Sequence, residues 1–229
     1  MNLIPDLITA LPEVTIVVLT LLLLLYGAFL GNKSTGTVSW LSIITMCLAV
    51  ILVISAPIER VTAFNHLFVV DEFSNYAKLL ILIAASLTLI LAMPYNKREN
   101  ILQFEFPILI LFAVVGMMMM VSANDLISLY LGIELQSLSL YIPATIRRDS
   151  VKSPEAGLKY FVLGALSSGI LLYGMSMVYG FSGSTGFDSL TIVFDNYSDK
   201  DSIIGVTVGL VFIMAGLAFK VSAVPFHMW

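Results

Sequence analysis

Charge is scarce in this chain: Asp, Glu, Lys and Arg make up 11% of its 229 residues, where an ordinary globular domain carries about a quarter. Hydrophobic residues reach 59% and the mean hydropathy is +1.00, which together exclude a water-soluble fold. They exclude disorder as well, because a disordered chain is poor in apolar residues and rich in net charge. Cysteine is almost absent. The single Cys47 cannot build a disulfide framework or a cysteine metal cluster within one chain, and inside an apolar run it is read as a packing residue. The two histidines, His66 and His227, lie far apart and make no metal site. Basic residues are too few for a nucleic-acid partner, the net charge being −4. The first ten residues have no basic stretch and contain Pro5 and Asp6, so a cleavable signal peptide is not expected and the first apolar run should remain as an anchor.

What the sequence has instead is long apolar runs. A helix crosses a bilayer with about 20 mainly apolar residues, since each adds about 1.5 Å of rise. Seven segments meet or approach this length: 13–30, 38–56, 73–93, 106–121, 126–141, 154–181 and 203–224. Proline and glycine punctuate them, with Pro12 and Pro154 in first turns and Gly31, Pro57, Pro94, Pro143 and Pro225 as stops. The expected fold is therefore all-α, a polytopic membrane protein of about seven transmembrane helices embedded in a lipid bilayer. No soluble domain, low-complexity tract or short repeat interrupts it, and the longest polar stretch, 182–202, has the size of one loop.

The connections alternate in charge. Lys33, then Lys97 and Arg98, then Arg147, Arg148 and Lys152 mark every second one, and positively charged short loops stay in the cytoplasm. The others carry Glu59, Asp71 and Glu72 against Arg60, then Asp125, then Asp188, Asp195, Asp199 and Asp201 against Lys200. These should face outward together with the N-terminus, in a bacterial inner membrane. Charge alternation and hydropathy are independent signals, and they agree.

Four ionisable residues stand inside the apolar runs: Lys78, Glu134, Lys159 and Lys220. Each would cost about 2.5–3.5 kcal/mol at the centre of a membrane helix, so each needs a reason. Glu134 sits about nine residues into the fifth span, roughly 13 Å from its entrance. Tyr130, Glu134, Ser137 and Tyr141 follow at i, i+4, i+7 and i+11, one polar stripe on one helix face. Hydroxyls there can support a carboxylate and water beside it; the competing reading is a carboxyl kept protonated for packing. Lys220 lies beside Ser222 and just ahead of Pro225, whose ring interrupts a helix; on spacing it is either a transport lysine at a helix break or one snorkelling to the surface. Snorkelling also competes for Lys159, and a position near the outer end for Lys78. The small-residue pairs Gly164 with Ser168, Ala165 with Gly169, and Gly205 with Gly209 read as helix packing. A buried lysine loses affinity for its proton, and a carboxylate within about 4–6 Å restores it, so Glu134 and Lys220 are the right types for a proton switch.

Three stretches carry a resemblance: Leu-Gly-Ile-Glu-Leu-Gln-Ser-Leu-Ser-Leu-Tyr at 131–141, Ser-Pro-Glu-Ala-Gly-Leu-Lys-Tyr-Phe at 153–161, and Phe-Lys-Val-Ser-Ala-Val-Pro-Phe-His-Met-Trp at 219–229. In span order over the whole chain, the sequence resembles the subunit N family of bacterial NADH-quinone oxidoreductase, respiratory complex I. Sister antiporter-like subunits of complex I and of multisubunit Na+/H+ antiporters share the glutamate and lysine in other surroundings. The resemblance implies a proton-translocating subunit without its own redox centre, with NADH, FMN, iron–sulfur clusters and quinone handled by partner subunits. It implies that Glu134, Lys220 and Lys159 carry proton transfer, supported by Tyr130, Ser137, Tyr141, Ser222, Pro225 and His227, and that the seventh helix breaks near Pro225. It divides the chain into a three-helix segment, 1–103, and an incomplete antiporter-like repeat, 104–229. Members of that family are about twice as long, with two inverted repeats, so this chain reads as a fragment or a shortened product without the second half-channel. The rival readings are a subunit of a cation/proton antiporter and a membrane scaffold whose buried charges are inert.

Overall fold

A computed structural model describes residues 3–57, 59–147, 149–195 and 200–226. A short helix α1 (Leu3–Thr9) leads into α2 (Leu11–Leu30), which opens on Pro12 in its first turn and ends at Gly31, φ 64°. A 3-10 turn, Gly31–Ser34, reverses the chain into α3 (Thr35–Ile54), and these two helices pack on one another. A hairpin of β1 (Val61–Ala63) and β2 (Phe68–Val70), Val61 opposite Val70, precedes α4 (Glu72–Arg98). Then come α5 (Glu105–Val121), α6 (Leu126–Ala144), α7 (Lys152–Ser182), the short α8 (Phe187–Asp195) and α9 (Lys200–Lys220).

Seven of these, α2 to α7 and α9, correspond to the seven expected spans. The tract Leu11–Ile54 and the helices Glu72–Arg98, Leu126–Ala144, Lys152–Ser182 and Ile203–Lys220 are long and apolar enough to cross a membrane, and Glu105–Val121 is a shorter apolar helix. Large apolar side chains such as Phe29, Ile54, Leu91 and Met214 project outward, as a lipid-facing surface requires. Cys47 shares that outward face of α3 rather than packing inside the chain. Within the helices, Thr20, Ser39, Ser42 and Thr45 donate their hydroxyls to the carbonyl four residues back, which satisfies them without water.

Three boundaries differ from expectation. Helix α4 runs through Pro94 to Arg98: one backbone hydrogen bond is forfeited, and Lys97 and Arg98 complement the negative end of the last turn, Arg98 resting over Tyr95 at 5.7 Å. Helix α6 likewise continues past Pro143 to Ala144. Helix α9 stops at Lys220, five residues ahead of Pro225. There Ser222 turns left-handed, φ 54°, so that the Ala223 N–H bonds to the Ala218 carbonyl at 2.8 Å and the Ser222 N–H to that of Phe219 at 3.0 Å. That crossed pair is a Schellman motif, which closes a helix by itself.

The acidic connections form one hydrogen-bonded cap at their end of the bundle. Val69 N–H bonds to Ser122 O at 2.8 Å, Asn124 N–H to Leu67 O at 3.1 Å, and Leu126 N–H to Thr185 O at 3.0 Å. Asp71 and Ser74 make a reciprocal capping box that starts α4. Asp125 caps α6, accepting from the Ile127 N–H at 2.7 Å and from the Thr185 hydroxyl at 2.5 Å. Arg60 donates to both oxygens of Asp188 at 3.2 Å, and Asn124 Nδ2 to one of them at 3.1 Å. The Asn124 bond, then Arg60, hold the Asp188 carboxyl below the ordinary aspartate range. A depressed folded-state value stabilises the clamp above the ordinary aspartate pKa and is lost as pH falls through the lower one. The protection of amides in residues 183–188, taken relative to their intrinsic exchange rates at each pH, is therefore expected to stay flat through neutral pH and to fall only below about pH 4.

Two apolar cores result. One joins α2, α3, α4 and α5 around Ile16, Met46, Leu82 and Leu111; the other joins α6, α7, α8 and α9 around Ile133, Leu171, Leu190 and Ile213. The closest approach of helix backbones in the second is α7 against α9, where a Cβ added at Gly174 would lie 2.7 Å from the Gly209 carbonyl oxygen. Gly174→Leu is expected to destabilise the protein by about 3 kcal/mol or more, since backbone rather than a yielding side chain stands in the way; thermal unfolding reads this. Of the anticipated small-residue pairs, Gly209 faces α7, Gly205 meets Phe181 and Gly164 meets Tyr141, whereas Gly169 faces open space.

Candidate functional site

Helix α6 starts in a fixed place because Asp125 ties it to the cap, and its polar stripe therefore arrives at a defined position against α7 and the end of α9. Ser137 and Tyr141 are buried. The Glu134 side chain is 20% exposed and that of Lys220 14%, both inside helices otherwise surrounded by apolar residues. Lys220 Nζ lies 3.6 Å from Glu134 Oε1, donates to Ser137 Oγ at 2.9 Å, and reaches Tyr141 Oη at 3.5 Å. Of the three donors of the ammonium, two thus go to hydroxyls, while the carboxylate at 3.6 Å acts as its charge partner. The contact joins residues 86 apart in the chain, and it replaces the snorkelling reading of Lys220 with an inward one.

Helix α7 supplies the other side. The Ser168 hydroxyl donates to the same Oε1 of Glu134, and Ser167 donates to the Gly216 carbonyl of α9 at 3.2 Å. Both described contacts of Glu134 thus fall on one carboxylate oxygen. Tyr141 is held from the α7 side by edge-on contacts with Tyr160, ring centres 4.5 Å apart, and Phe161, 5.8 Å. Lys220 is the last residue of α9, where the negative end of the helix favours a cation.

Other anticipated residues fall elsewhere. Tyr130 lies one turn before Glu134 on the same helix. Lys159 pairs with Glu155 at 2.6 Å on an exposed face of α7, and nine residues separate it from Ser168, roughly 13 Å along the helix; it does not join the Glu134–Lys220 cluster. Ser222 and Pro225 are exposed; Ser222 shapes the helix end rather than touching the cluster, and His227 lies outside the described residues. Lys78 is 1% exposed and sits 2.7 Å from Glu13 Oε1. Sequence alone makes Glu13 the start of a span and Ser168 a packing residue. A second hydroxyl beside it, the Ser167–Ser168 doublet in an apolar run, was the signal available for the latter.

Comparison with known proteins agrees with this architecture. Residues 123–229 match the family of NADH:quinone oxidoreductase/Mrp antiporter transmembrane segments. The chain is 58% identical over 222 residues to NADH-quinone oxidoreductase subunit N of Rhodospirillum rubrum, covering 96% of this chain and 45% of that one. Its fold is similar to a chain of respiratory complex I from Thermus thermophilus, solved with bound aureothin (TM-score 0.76, 28% identity, 95% of this chain and 45% of the other). It is also similar to one in the Mrp complex from Dietzia sp. DQ12-45-1b (TM-score 0.63, 25% identity, 100% and 43%). The chain spans about half the length of the curated relatives it matches.

Proposed function

With residues 123–229 belonging to the NADH:quinone oxidoreductase/Mrp antiporter transmembrane family, and the chain related along nearly its whole length to subunit N, we propose that it conducts protons as a membrane subunit of NADH-quinone oxidoreductase. It lies in a bacterial inner membrane with its N-terminus outside, and couples to quinone reduction done by partner subunits that hold the NADH, FMN, iron–sulfur and quinone chemistry. This chain itself is a translocase without redox chemistry, and the division at residue 103 separates its antiporter-like part from the helices that precede it.

The observation that carries this reading is the contact of Lys220 with Glu134 through Ser137. While the two are together, the carboxylate stabilises the ammonium. When the end of α9 shifts, the ammonium loses its counter-charge in a medium of low dielectric and passes its proton to the next base, while Glu134 takes one up at the oxygen that Lys220 and Ser168 leave free. Return of the lysine reloads it. Ser137 and Tyr141 bridge the path, Tyr130 extends it toward the acidic end, and Ser222, whose left-handed turn closes α9 ahead of Pro225, forms the break that lets the lysine move. Lys159, held by Glu155 at the basic end of α7, stands at the entrance, with water filling the distance to Ser168.

The likeness to the Mrp complex favours a second reading, exchange of a cation against protons. Deleting the gene separates the two: loss of quinone-driven proton pumping with unchanged growth at high Na+ supports the respiratory subunit, and Na+ sensitivity with intact pumping sinks it.

A further inference from the structure

Between α2, the hairpin connection, α5 and the start of α6 lies a cavity of about 450 Å³, bounded by Val17, Val18, Phe64, Leu67, Met119 and Ser128. Among its described lining residues only Glu13 and Ser128 are polar. Both carboxylate oxygens of Glu13 are enclosed beside Lys78 Nζ, so Glu13 offers the cavity no charge-bearing atom. A trapped water needs about 2–4 polar partners, and one serine hydroxyl falls short of that. An apolar cavity of about a third this volume stays dry and takes up small hydrocarbons; here hydrocarbon is also the surrounding solvent. The opening faces it. Val18, 50% exposed, belongs both to the cavity wall and to the outward stripe of α2 that continues through Leu21, Leu22 and Leu25, so the cavity is continuous with the lipid-facing surface. Its length fits one leaflet: from Ala10 to Val18 is about 12 Å of helix, against about 15 Å for half of the hydrocarbon core. Ser128 stands at the shallow end, one turn inside the Asp125 cap of α6, where the polar region of a leaflet begins.

We propose that this cavity seats one acyl chain of a phospholipid, retained by the protein rather than exchanging freely with the bilayer, with its ester end beside Ser128 and its tail running inward between α2 and α5. Walls from α2, α5 and the hairpin connection surround the tail, whereas a lipid on an open helix face is touched from one side, and dispersion contacts add up with the number of neighbouring atoms. Phe64 and Phe68, edge-on with ring centres 6.2 Å apart, form its roof, and the Phe68 ring centre lies 4.9 Å from Lys78 Nζ. The seated tail therefore packs against the ring that faces the buried ammonium, and hydrocarbon rather than water adjoins the Glu13–Lys78 pair. Assignment to the outer leaflet rests on the orientation proposed above; the binding itself requires only that the protein spans a bilayer.

The test uses the complete enzyme complex from cells grown on a fatty acid that carries a photoreactive diazirine, so that the complex assembles among labelled phospholipids. It is irradiated either in its native membranes or after transfer into unlabelled vesicles of phosphatidylethanolamine and phosphatidylglycerol, and adducts are located by mass spectrometry. Adducts at Val17, Phe64 or Met119 are expected to survive the transfer, while those at outward side chains such as Phe29 and Leu91 disappear. Native membranes that yield adducts at Phe29 or Leu91 and none in the cavity overturn the proposal, because a partner subunit, another apolar molecule or the protein itself then fills the site. Cavity adducts that vanish on transfer together with the outward ones overturn it as well, leaving ordinary lipid-facing surface. Val18→Trp, at the mouth, is expected to abolish the transfer-resistant labelling of Phe64 and Met119 with Phe29 labelled in native membranes as before; undiminished labelling there places the lipid elsewhere and overturns the seat. Where that variant fails to assemble, the transfer of the unaltered complex decides. Proton pumping is read at no step, so the outcome stands apart from the proton-conducting reading.

Discussion

Glu134→Gln in the assembled complex is expected to reduce quinone-driven proton pumping by about ten-fold or more, the scale on which a positioned acid–base group matters. Gln has nearly the shape of Glu and can still accept the Ser168 hydroxyl through its carbonyl oxygen, so α6 and α7 should stay together. What it cannot do is gain and lose a proton, or offer Lys220 a full negative charge across 3.6 Å. Glu134→Asp keeps the proton chemistry but draws the carboxylate back by one methylene from both Ser168 and Lys220, and should retain an intermediate rate. Proteoliposome acidification normalised to quinone reduction reads all three. Pumping by the Gln variant equal to that of the unaltered protein would mean that the carboxyl is inert packing, and the scaffold reading would stand.

The second large effect is on stability and comes from the same pair. Removing one member leaves the other's charge in a poorly solvated place, and breaking a buried pair is more damaging than replacing it whole. Lys220→Met alone, or Glu134→Gln alone, is expected to destabilise by about 1–3 kcal/mol, the range reflecting partial exposure and the modest strength of polar contacts between membrane helices. The double variant should be less destabilised than the sum of the two. Thermal inactivation of the four proteins, compared at one heating rate because membrane complexes unfold irreversibly, gives the coupling. Strict additivity would show that the two side chains do not stabilise each other.

Reading the spans from sequence worked because hydrocarbon leaves little freedom: a run such as 106–121 has nowhere else to go. The polar stripe on α6 was legible for a related reason, since Tyr130, Glu134, Ser137 and Tyr141 share a face by helical spacing alone. Whether Lys220 met it was not, because that depends on how α6, α7 and α9 pack, and no local rule encodes a contact between residues 134 and 220. Glu13 escaped notice at the head of a span, where a carboxylate usually meets water; only the hairpin connection folding over it makes it a buried charge. The cap was invisible for the same reason, its hydrogen bonds joining segments about 60 residues apart, such as Asn124 and Asp188. Proline misled at both ends of its range. At Pro94 the chain tolerates it inside a helix, and before Pro225 the helix has already closed through Ser222, a left-handed serine that spacing does not announce.

The close crossing of α7 and α9 at Gly174 and Gly209 has a mechanical consequence. Where two backbones touch without side chains between them, Gly209 marks the point about which α9 would pivot on α7, and the Ser167 bond to the Gly216 carbonyl would have to give. Lys220 lies eleven residues beyond Gly209, an arm of roughly 16 Å, and a swing of about 10° would carry the ammonium about 3 Å sideways. A displacement of that size is comparable with its whole separation from the carboxylate. Leverage from a pair of glycines would then open the charge pair, with the Ser167–Gly216 hydrogen bond as the catch that holds it closed.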